Sequence, residues 1–159
     1  MSALPDLETR LTDDHHDSLR LWLRLLSCSS LIELRIRKAM ASRFKTTLPR
    51  FDLMAQLERA PDGLQMGELS RRMLVTGGNV TGIADQLERA GLIARNADPN
   101  DRRACRLTLT REGRRVFAQM AREHERWVAD IFEGLSVRDK RTLNDLLSRL
   151  RVTLRKGEA

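Results

Sequence analysis

The segment 66–91 carries residue types that can read the edges of base pairs. Its apolar residues recur at helical spacing, which predicts one buried face of a short amphipathic helix. They are Val80, Ile83, Ala84 and Leu87. Short polar side chains near the start of such a helix reach base edges in a major groove, and its free amides hold a phosphate. The alternative is that any capped amphipathic helix exposes such side chains. The predicted contact residues are Thr76, Gly78, Asn79, Thr81 and Gln86.

Two adjacent arginines, Arg102 and Arg103, lie in a polar stretch between two short apolar runs that predict strands. The tip of a hairpin is narrow enough to enter a minor groove, where the negative potential favours a guanidinium. Asp101 is expected to brace one of the arginines through a bidentate ion pair. The alternative is a solvated pair of charges, and the position of the pair after the segment 66–91 favours the nucleic-acid contact.

A block of six cations, without one acidic residue, occupies the sixteen residues from Arg35 to Arg50. One interpretation is a solvated helix end that adds to the electrostatic field towards nucleic acid. The other is a site for a phosphate-bearing effector such as a coenzyme A thioester, whose acyl part would enter the apolar segment before the block. The residues predicted for this effector site are Trp22, Leu26, Ser29, Arg35, Lys38, Lys45, Arg50 and Met54.

The other residues that can bind metals or act as nucleophiles form no recognisable site. The histidines lack the spacing of a metal pair on a helix, so no metal and no cofactor are expected; they are His15, His16 and His124. The sequence contains no nucleophile elbow, P-loop or dinucleotide fingerprint, so an enzyme is not expected. Cys28 and Cys105 lie far apart, which favours reduced thiols. Both are expected to be structural, with Cys28 a small buried residue of the core.

The composition points to a polyanionic partner. The chain has 159 residues, an excess of seven positive charges and 41% hydrophobic residues, which is too apolar for a disordered basic tail. Nucleic acid is favoured over a membrane, because the sequence has no lipidation motif and no apolar run near the roughly 20 residues of a spanning helix. The first residues are acidic and lack the apolar stretch of a secretory signal, so a cytoplasmic location is expected.

Periodicity and turn residues predict the elements that position these side chains. The fold is expected to be mainly α with a small β-wing, in the order α-α-α-α-β-β-α-α. Two short helices with a glycine-containing turn, followed by a hairpin, are typical of a winged helix-turn-helix. The first helix is apolar on nearly every side over 21–26, so a partner subunit or a ligand must cover it. The predicted helices are about 16–43, 49–60, 67–74, 77–90, 110–134 and 136–155, and the strands are 92–95 and 105–109.

Several of these stretches together resemble the MarR family of transcriptional regulators. The resemblance covers Met66-Gly67-Glu68-Leu69-Ser70, residues 87–95, Asp101-Arg102-Arg103 and residues 107–113, with the signature D-x-R-x-x-x-hydrophobic-x-L-T. It implies a homodimer joined by its terminal helices, a pseudo-palindromic duplex DNA operator, and repression relieved by a small molecule or an oxidant. It also implies that Arg103 is the minor-groove arginine, oriented by Asp101. Gly82 departs from the pattern, because many relatives carry a basic residue there.

The implied organisation is a single MarR-like domain over 1–159, with dimerisation and effector helices at 11–48 and 111–156 and a DNA-binding part at 49–110. Residues 19–26 and 48–52 are similar to the branch that responds to aromatic, hydroxycinnamoyl-type acyl-CoA esters. The predicted function is therefore a sequence-specific repressor that a small-molecule effector releases from DNA, with an aromatic acyl-CoA as the candidate.

The alternative is a redox-responsive repressor that is switched by oxidation of Cys28. Peroxide-sensing relatives keep a reactive thiol on the first helix and typically use tyrosines to hold the thiolate. This sequence contains no tyrosine, which disfavours the redox alternative.

Overall fold

Residues 16–73 and 77–156 are described by a computed structural model of the chain. Their backbone contacts define two units, one that ends at Met120 and one that begins at Ala121. Thr76, a predicted DNA contact, falls outside the described residues. Within the described ranges, no helix combines the length and the apolar character that a membrane crossing requires.

Helix α1 spans Asp17–Phe44, within about a residue of the prediction. It contains neither proline nor glycine. It ends at Lys45, whose left-handed backbone (φ 53°) turns the amide back to the carbonyl of Met40. Ile36 and Met40 are buried, whereas the apolar first half of the helix is largely exposed in this single chain. The first half of α1 therefore contributes little to the core of its own chain.

Helices α2 (Leu48–Glu58) and α3 (Met66–Met73) lead to α4 (Gly77–Arg89), the second helix of the helix-turn-helix. Thr47 caps α2, because its hydroxyl accepts a backbone amide of the first turn. The end of α4 agrees with the prediction, since Gly91 has a φ of 71° and lets the chain turn away from the helix.

A three-stranded antiparallel sheet forms the wing and its base, with the strands in the order β1-β3-β2. The strands are β1 (Leu64–Gln65), β2 (Ile93–Asp98) and β3 (Asp101–Leu109). The prediction missed β1, because a strand of two residues shows no alternation, and the element order becomes α-α-β-α-α-β-β-α-α. The predicted hairpin was also too short. Its expected polar loop, 98–103, is a two-residue turn at Pro99 and Asn100. Asp98 pairs with Asp101 across this turn.

The core of the first unit lies between the sheet and the helices around it. Its apolar residues are at most 7% exposed, and their removal from water is the main force that holds α4 in place. They are Ile36, Met40, Phe51, Leu53, Met54, Leu57, Leu64, Leu69, Val80, Ala84, Leu87, Ile93, Leu107, Leu109 and Met120. The ring of Phe51 also stacks on that of Phe117, with centroids 5.4 Å apart.

Helix α5 (Arg111–Ile131) begins where β3 ends. The hydroxyl of Thr110 accepts the amide of Gly113 at 2.9 Å and donates to the carbonyl of Gly91 at 2.7 Å. Gly113 lies so close to the start of β2 that a Cβ at this position would be 1.9 Å from the carbonyl oxygen of Leu92. Glycine is therefore required here, and it sets the close approach of α5 to the hairpin.

The second unit consists of α5 from Ala121 onward and of helix α6 (Val137–Lys156). The stretch Ser136-Val137-Arg138-Asp139 has the sequence of a capping box and forms one, because the Ser136 hydroxyl accepts the amide of Asp139 at 3.1 Å. The Asp139 carboxylate in turn accepts the amide of Ser136 at 3.3 Å. Every residue of α6 is exposed in the single chain, and an apolar cleft of about 350 Å³ runs between α6 and the end of α5.

Candidate nucleic-acid interface

Helix α4 presents opposite faces to the core and to the surface. Of the four residues that the periodicity predicts to be buried, Val80 and Ala84 are fully buried and Leu87 is 3% exposed, whereas Ile83 is only partly buried. Three of the predicted contact residues lie on the exposed side: Asn79, Thr81 and Gln86. Gly78 lies in the first turn of the helix. The short polar side chains thus lie at the surface of the helix, while the apolar side chains pack it against the core.

Arg95 on strand β2 holds α4 against the sheet. Its guanidinium forms an ion pair with Asp85 and a second with Glu88 at 3.4 Å. The hydrogen bond with Asp85 raises the pKa of Arg95 above its ordinary value, with a further contribution from the charge of Glu88. The pairs therefore link the second half of α4 to β2, and the single charge of Arg95 offsets part of the negative charge that would repel phosphates.

The wing presents both predicted arginines. Arg102 and Arg103 are exposed and follow the two-residue turn at the start of β3. Asp101 accepts the backbone amide of Arg103 at 2.9 Å. In the described part of the chain, Asp101 forms no ion pair with either guanidinium, contrary to the expected bidentate pair. Asp101 therefore supports the backbone of the tip, and both side chains extend into solvent.

Asp98, which the sequence reasoning did not single out, organises the base of the wing. It is 4% exposed, and its carboxylate accepts the Gln65 side-chain amide at 2.7 Å and the Asn100 backbone amide at 2.8 Å. Arg106 donates to the same carboxylate at 2.9 Å. The hydrogen bond from Gln65, followed by that from Asn100, lowers the pKa of Asp98 below its ordinary value. The one sequence signal for this support of the turn is the pattern Asp98-Pro99-Asn100, because an aspartate before a turn commonly accepts a backbone amide two residues later.

The basic block does not form one uniform surface. Arg35, Lys38 and Lys45 are exposed. Arg50 is partly buried and donates from Nε to Oε1 of Gln86 at 2.8 Å. The cation predicted to bind an effector is therefore bonded to a residue predicted to contact DNA.

The apolar part of the predicted effector site is divided between surface and core. Trp22 and Leu26 are 56% and 47% exposed, and Ser29 between them and the basic block is exposed as well. Met54 is only 1% exposed, because the core of the first unit encloses it. The chain therefore does not bring Met54 to the surface on which Trp22 lies.

Cys105 lies on β3, on the wing strand predicted for it, but Cys28 is not buried as expected. Cys28 and Cys105 are both exposed. The expectation that Cys28 is a buried core residue is wrong for this chain, because the first half of α1 has little of its own chain packed over it. Across 16–73 and 77–156, no three His, Cys, Asp or Glu side chains lie close enough to hold a metal ion.

Comparison with known proteins agrees with this architecture. A model of the MarR family matches residues 45–104. The transcriptional activatory protein BadR of Rhodopseudomonas palustris is 30% identical over 132 residues, which are 80% of this chain and 75% of that protein. A MarR family transcriptional regulator from Silicibacter pomeroyi has a similar crystal structure, with 29% identity and a TM-score of 0.76 over 91% of this chain and 99% of that one.

A structure that contains DNA is also similar. FabT of Streptococcus pneumoniae, solved in complex with DNA, is 27% identical, with a TM-score of 0.73 over 88% of this chain and 99% of that one. The family model, the relatives and the winged helix-turn-helix architecture agree. The chain belongs to the MarR family of DNA-binding transcriptional regulators.

Proposed function

We propose that this regulator places α4 in a major groove of its operator and the tip of the wing in a neighbouring minor groove. The observation that carries the proposal is that α4 buries its apolar face and exposes Asn79, Thr81 and Gln86, while the wing exposes two adjacent arginines. Asn79 would contact base edges, Arg103 would occupy the minor groove, and the backbone from Thr76 to Gly78 would hold a phosphate. Duplex DNA as the partner also supports the predicted cytoplasmic location.

We further propose that the functional unit is a homodimer joined through the terminal helices, within 11–48 and 111–156. Large apolar side chains are exposed on both α1 and α6 of the single chain, among them Leu21 at 65% and Leu154 at 64%. Exposed apolar surface of this extent is typical of a protein interface. A two-fold dimer would read a pseudo-palindromic operator, with half-sites about 34 Å apart.

Selection from a library of random duplexes tests both proposals. We expect the protein to enrich an inverted repeat whose half-sites are centred about one helical turn apart. We expect sedimentation to give a dimer, which Leu21→Glu or Leu154→Glu weakens. A stable monomer at micromolar concentration, or a selection that enriches no sequence, would contradict the proposal.

As a finer proposal, the protein is a repressor that an aromatic acyl-CoA releases from DNA. The exposed cations Arg35, Lys38 and Lys45 support it, because guanidinium and ammonium groups bind the phosphates of a coenzyme A. Three further predicted residues, Trp22, Leu26 and Ser29, are exposed and would contact the acyl part. We omit Met54 from this set, because it is enclosed in the core.

The second candidate is a repressor switched by oxidation of Cys28. The exposure of this thiol favours it, since a reactive cysteine must be accessible. Peroxide treatment of wild type and of Cys28→Ser, each bound to the selected duplex, separates the two candidates. Release by peroxide that disappears in Cys28→Ser supports the redox switch, whereas equal behaviour of the two proteins contradicts a switch at Cys28.

A further inference from the structure

The middle of α4 contains a glycine that nothing in the described part of the chain requires. A Cβ at Gly82 would have no atom within 4 Å, and its backbone is helical without a left-handed φ. At two other positions, by contrast, the surrounding backbone leaves no room for a Cβ and so requires glycine. At Gly63, with φ of 84°, a Cβ would lie 2.8 Å from the Leu107 carbonyl oxygen, and at Gly113 a Cβ would overlap the backbone of Leu92. Gly82 therefore destabilises its helix without a packing contact that explains it.

Gly82 lies at the centre of the exposed face of α4. Val80 and Ala84, each two residues away, are fully buried, and two residues correspond to about 200° around a helix. Asn79 at i−3 and Gln86 at i+4 share the exposed face with Gly82. At the outermost point of the predicted DNA-reading face, the helix therefore presents its backbone.

The neighbouring side chains are consistent with a close approach of DNA. Asn79 and Thr81 are short, so they reach base edges only when the helix backbone lies deep in the groove. A side chain at position 82 would project between them. The basic residue that many relatives carry there would itself reach the DNA, whereas its absence in this chain lets the backbone of α4 approach the base pairs more closely. Glycine is the residue that permits close contact between a backbone and a ligand.

We propose that Gly82 is a specificity-determining residue, because its missing side chain sets the depth of α4 in the major groove and so allows Asn79 to reach the bases. This inference rests on the proposed function, in which α4 reads duplex DNA. Binding to DNA of random sequence depends on phosphate contacts and does not need this depth. Gly82 therefore contributes to the discrimination between operator and random DNA.

The test compares Gly82→Ala and Gly82→Leu with wild type on two 30-bp duplexes, the selected operator and one of scrambled sequence. Gly134→Ala is the control, because it also adds a methyl group in open space, but in the turn after α5. We expect Gly82→Ala to raise the Tm by about 3 °C through better helix propensity. We expect it to weaken operator binding about tenfold, with a larger loss for Gly82→Leu. Affinity for the scrambled duplex stays within about twofold of wild type, and Gly134→Ala binds both duplexes as wild type does.

Measuring Asn79→Ala beside these variants separates a failure of the Gly82 proposal from a failure of the proposed function of α4. If both Gly82 variants bind the operator as tightly as wild type while Asn79→Ala loses discrimination, the role of Gly82 is refuted and the reading role of α4 stands. If Asn79→Ala also binds as wild type does, the proposed function of α4 fails together with this inference. Equal losses on both duplexes, or a lowered Tm for Gly82→Ala, overturn the inference, because the effect is then on the fold.

Discussion

Arg50 Nε donates to Gln86 Oε1 at 2.8 Å, and this bond joins the first turn of α2 to the exposed face of α4. The two residues are 36 positions apart in the sequence. Because the amide oxygen of Gln86 accepts from Arg50, its amide nitrogen is the group left to donate to a partner. Arg50 therefore orients a side chain of the DNA-reading face, and an anion that binds Arg50 competes with this bond.

The first prediction concerns this pair. We expect Arg50→Ala and Gln86→Ala each to weaken binding to the selected operator, and the double variant to lose less than the sum. The coupling free energy should be about 1 kcal/mol, the usual net value of a hydrogen bond. Arg37→Ala is the control, because Arg37 belongs to the same basic block but donates to Glu33 at 2.9 Å. Additive losses in the double-mutant cycle would show that the two side chains act independently.

The second prediction concerns the effector. Calorimetry with 4-hydroxycinnamoyl-coenzyme A, the free acid and coenzyme A should show the thioester binding at least roughly tenfold more tightly than the acid, through charge-assisted bonds to its phosphates. Arg50→Ala and Lys38→Ala should reduce that difference. Equal affinities of acid and thioester would contradict the acyl-CoA proposal, and the basic block would then be a surface that faces DNA or solvent.

The third prediction concerns Asp98 and pH. Its pKa is lowered in the folded chain, mainly by the hydrogen bond from Gln65. The stabilisation by the carboxylate is therefore complete above the unfolded pKa, about 4, and is lost as the pH falls through the folded pKa. We expect Asp98→Asn to lower the urea midpoint at pH 7, because an amide cannot accept all three donors.

The same variant gives a control on the pH dependence. The difference in urea midpoint between wild type and Asp98→Asn should shrink as the pH falls below about 4, because Asp98 of the unfolded wild type then binds a proton, and the folded carboxylate binds one only at lower pH. Asp62→Asn serves as the matched variant, since Asp62 lies in an exposed turn. A difference that stays constant from pH 7 to pH 3 would show that the charge of Asp98 does not contribute.

The fourth prediction concerns the close approach of α5 to the hairpin. Gly113→Ala should lower the free energy of unfolding by about 2 kcal/mol, because the new Cβ overlaps the carbonyl of Leu92 and the backbone must move. Gly134→Ala adds the same group where no atom lies within 4 Å and should have little effect. Equal urea midpoints for Gly113→Ala and wild type would contradict this prediction, because α5 would then move away from Leu92 with no loss in the free energy of unfolding.

Local sequence signals predicted the helices well. The cap at Ser136 and the stop at Gly91 act within a few residues, so their chemistry is readable from the sequence, whereas the cap at Thr47 was not predicted. The periodicity of α4 also predicted its buried face. The strand Leu64–Gln65 was missed, because pairing with β3 defines it and two residues carry no pattern.

The tertiary contacts of the site were less accessible to sequence reasoning. Asp98 and Gln65 are 33 residues apart, and only the folded sheet brings them together. The bond between Arg50 and Gln86 likewise depends on the packing of α2 beside α4. Cys28 was expected in the core because a cysteine on an apolar helix is usually buried, but burial of that helix requires a surface from outside its own chain.

The central claim is that α4 reads the bases and that the wing contributes binding that does not depend on sequence. It is tested most directly by fluorescence anisotropy on the selected operator and a scrambled duplex, at several salt concentrations. Arg103→Ala should weaken binding to both duplexes and lower the slope of log K against log salt by about 1, since it removes one cation that the wing brings into the negative potential of the minor groove. Asn79→Ala should keep that slope and the affinity for the scrambled duplex, yet bind the operator about tenfold more weakly. Arg149→Ala, an exposed arginine of α6, should match wild type. Equal losses on both duplexes for Asn79→Ala and Arg103→Ala would contradict the assignment of base reading to α4 and of backbone contact to the wing.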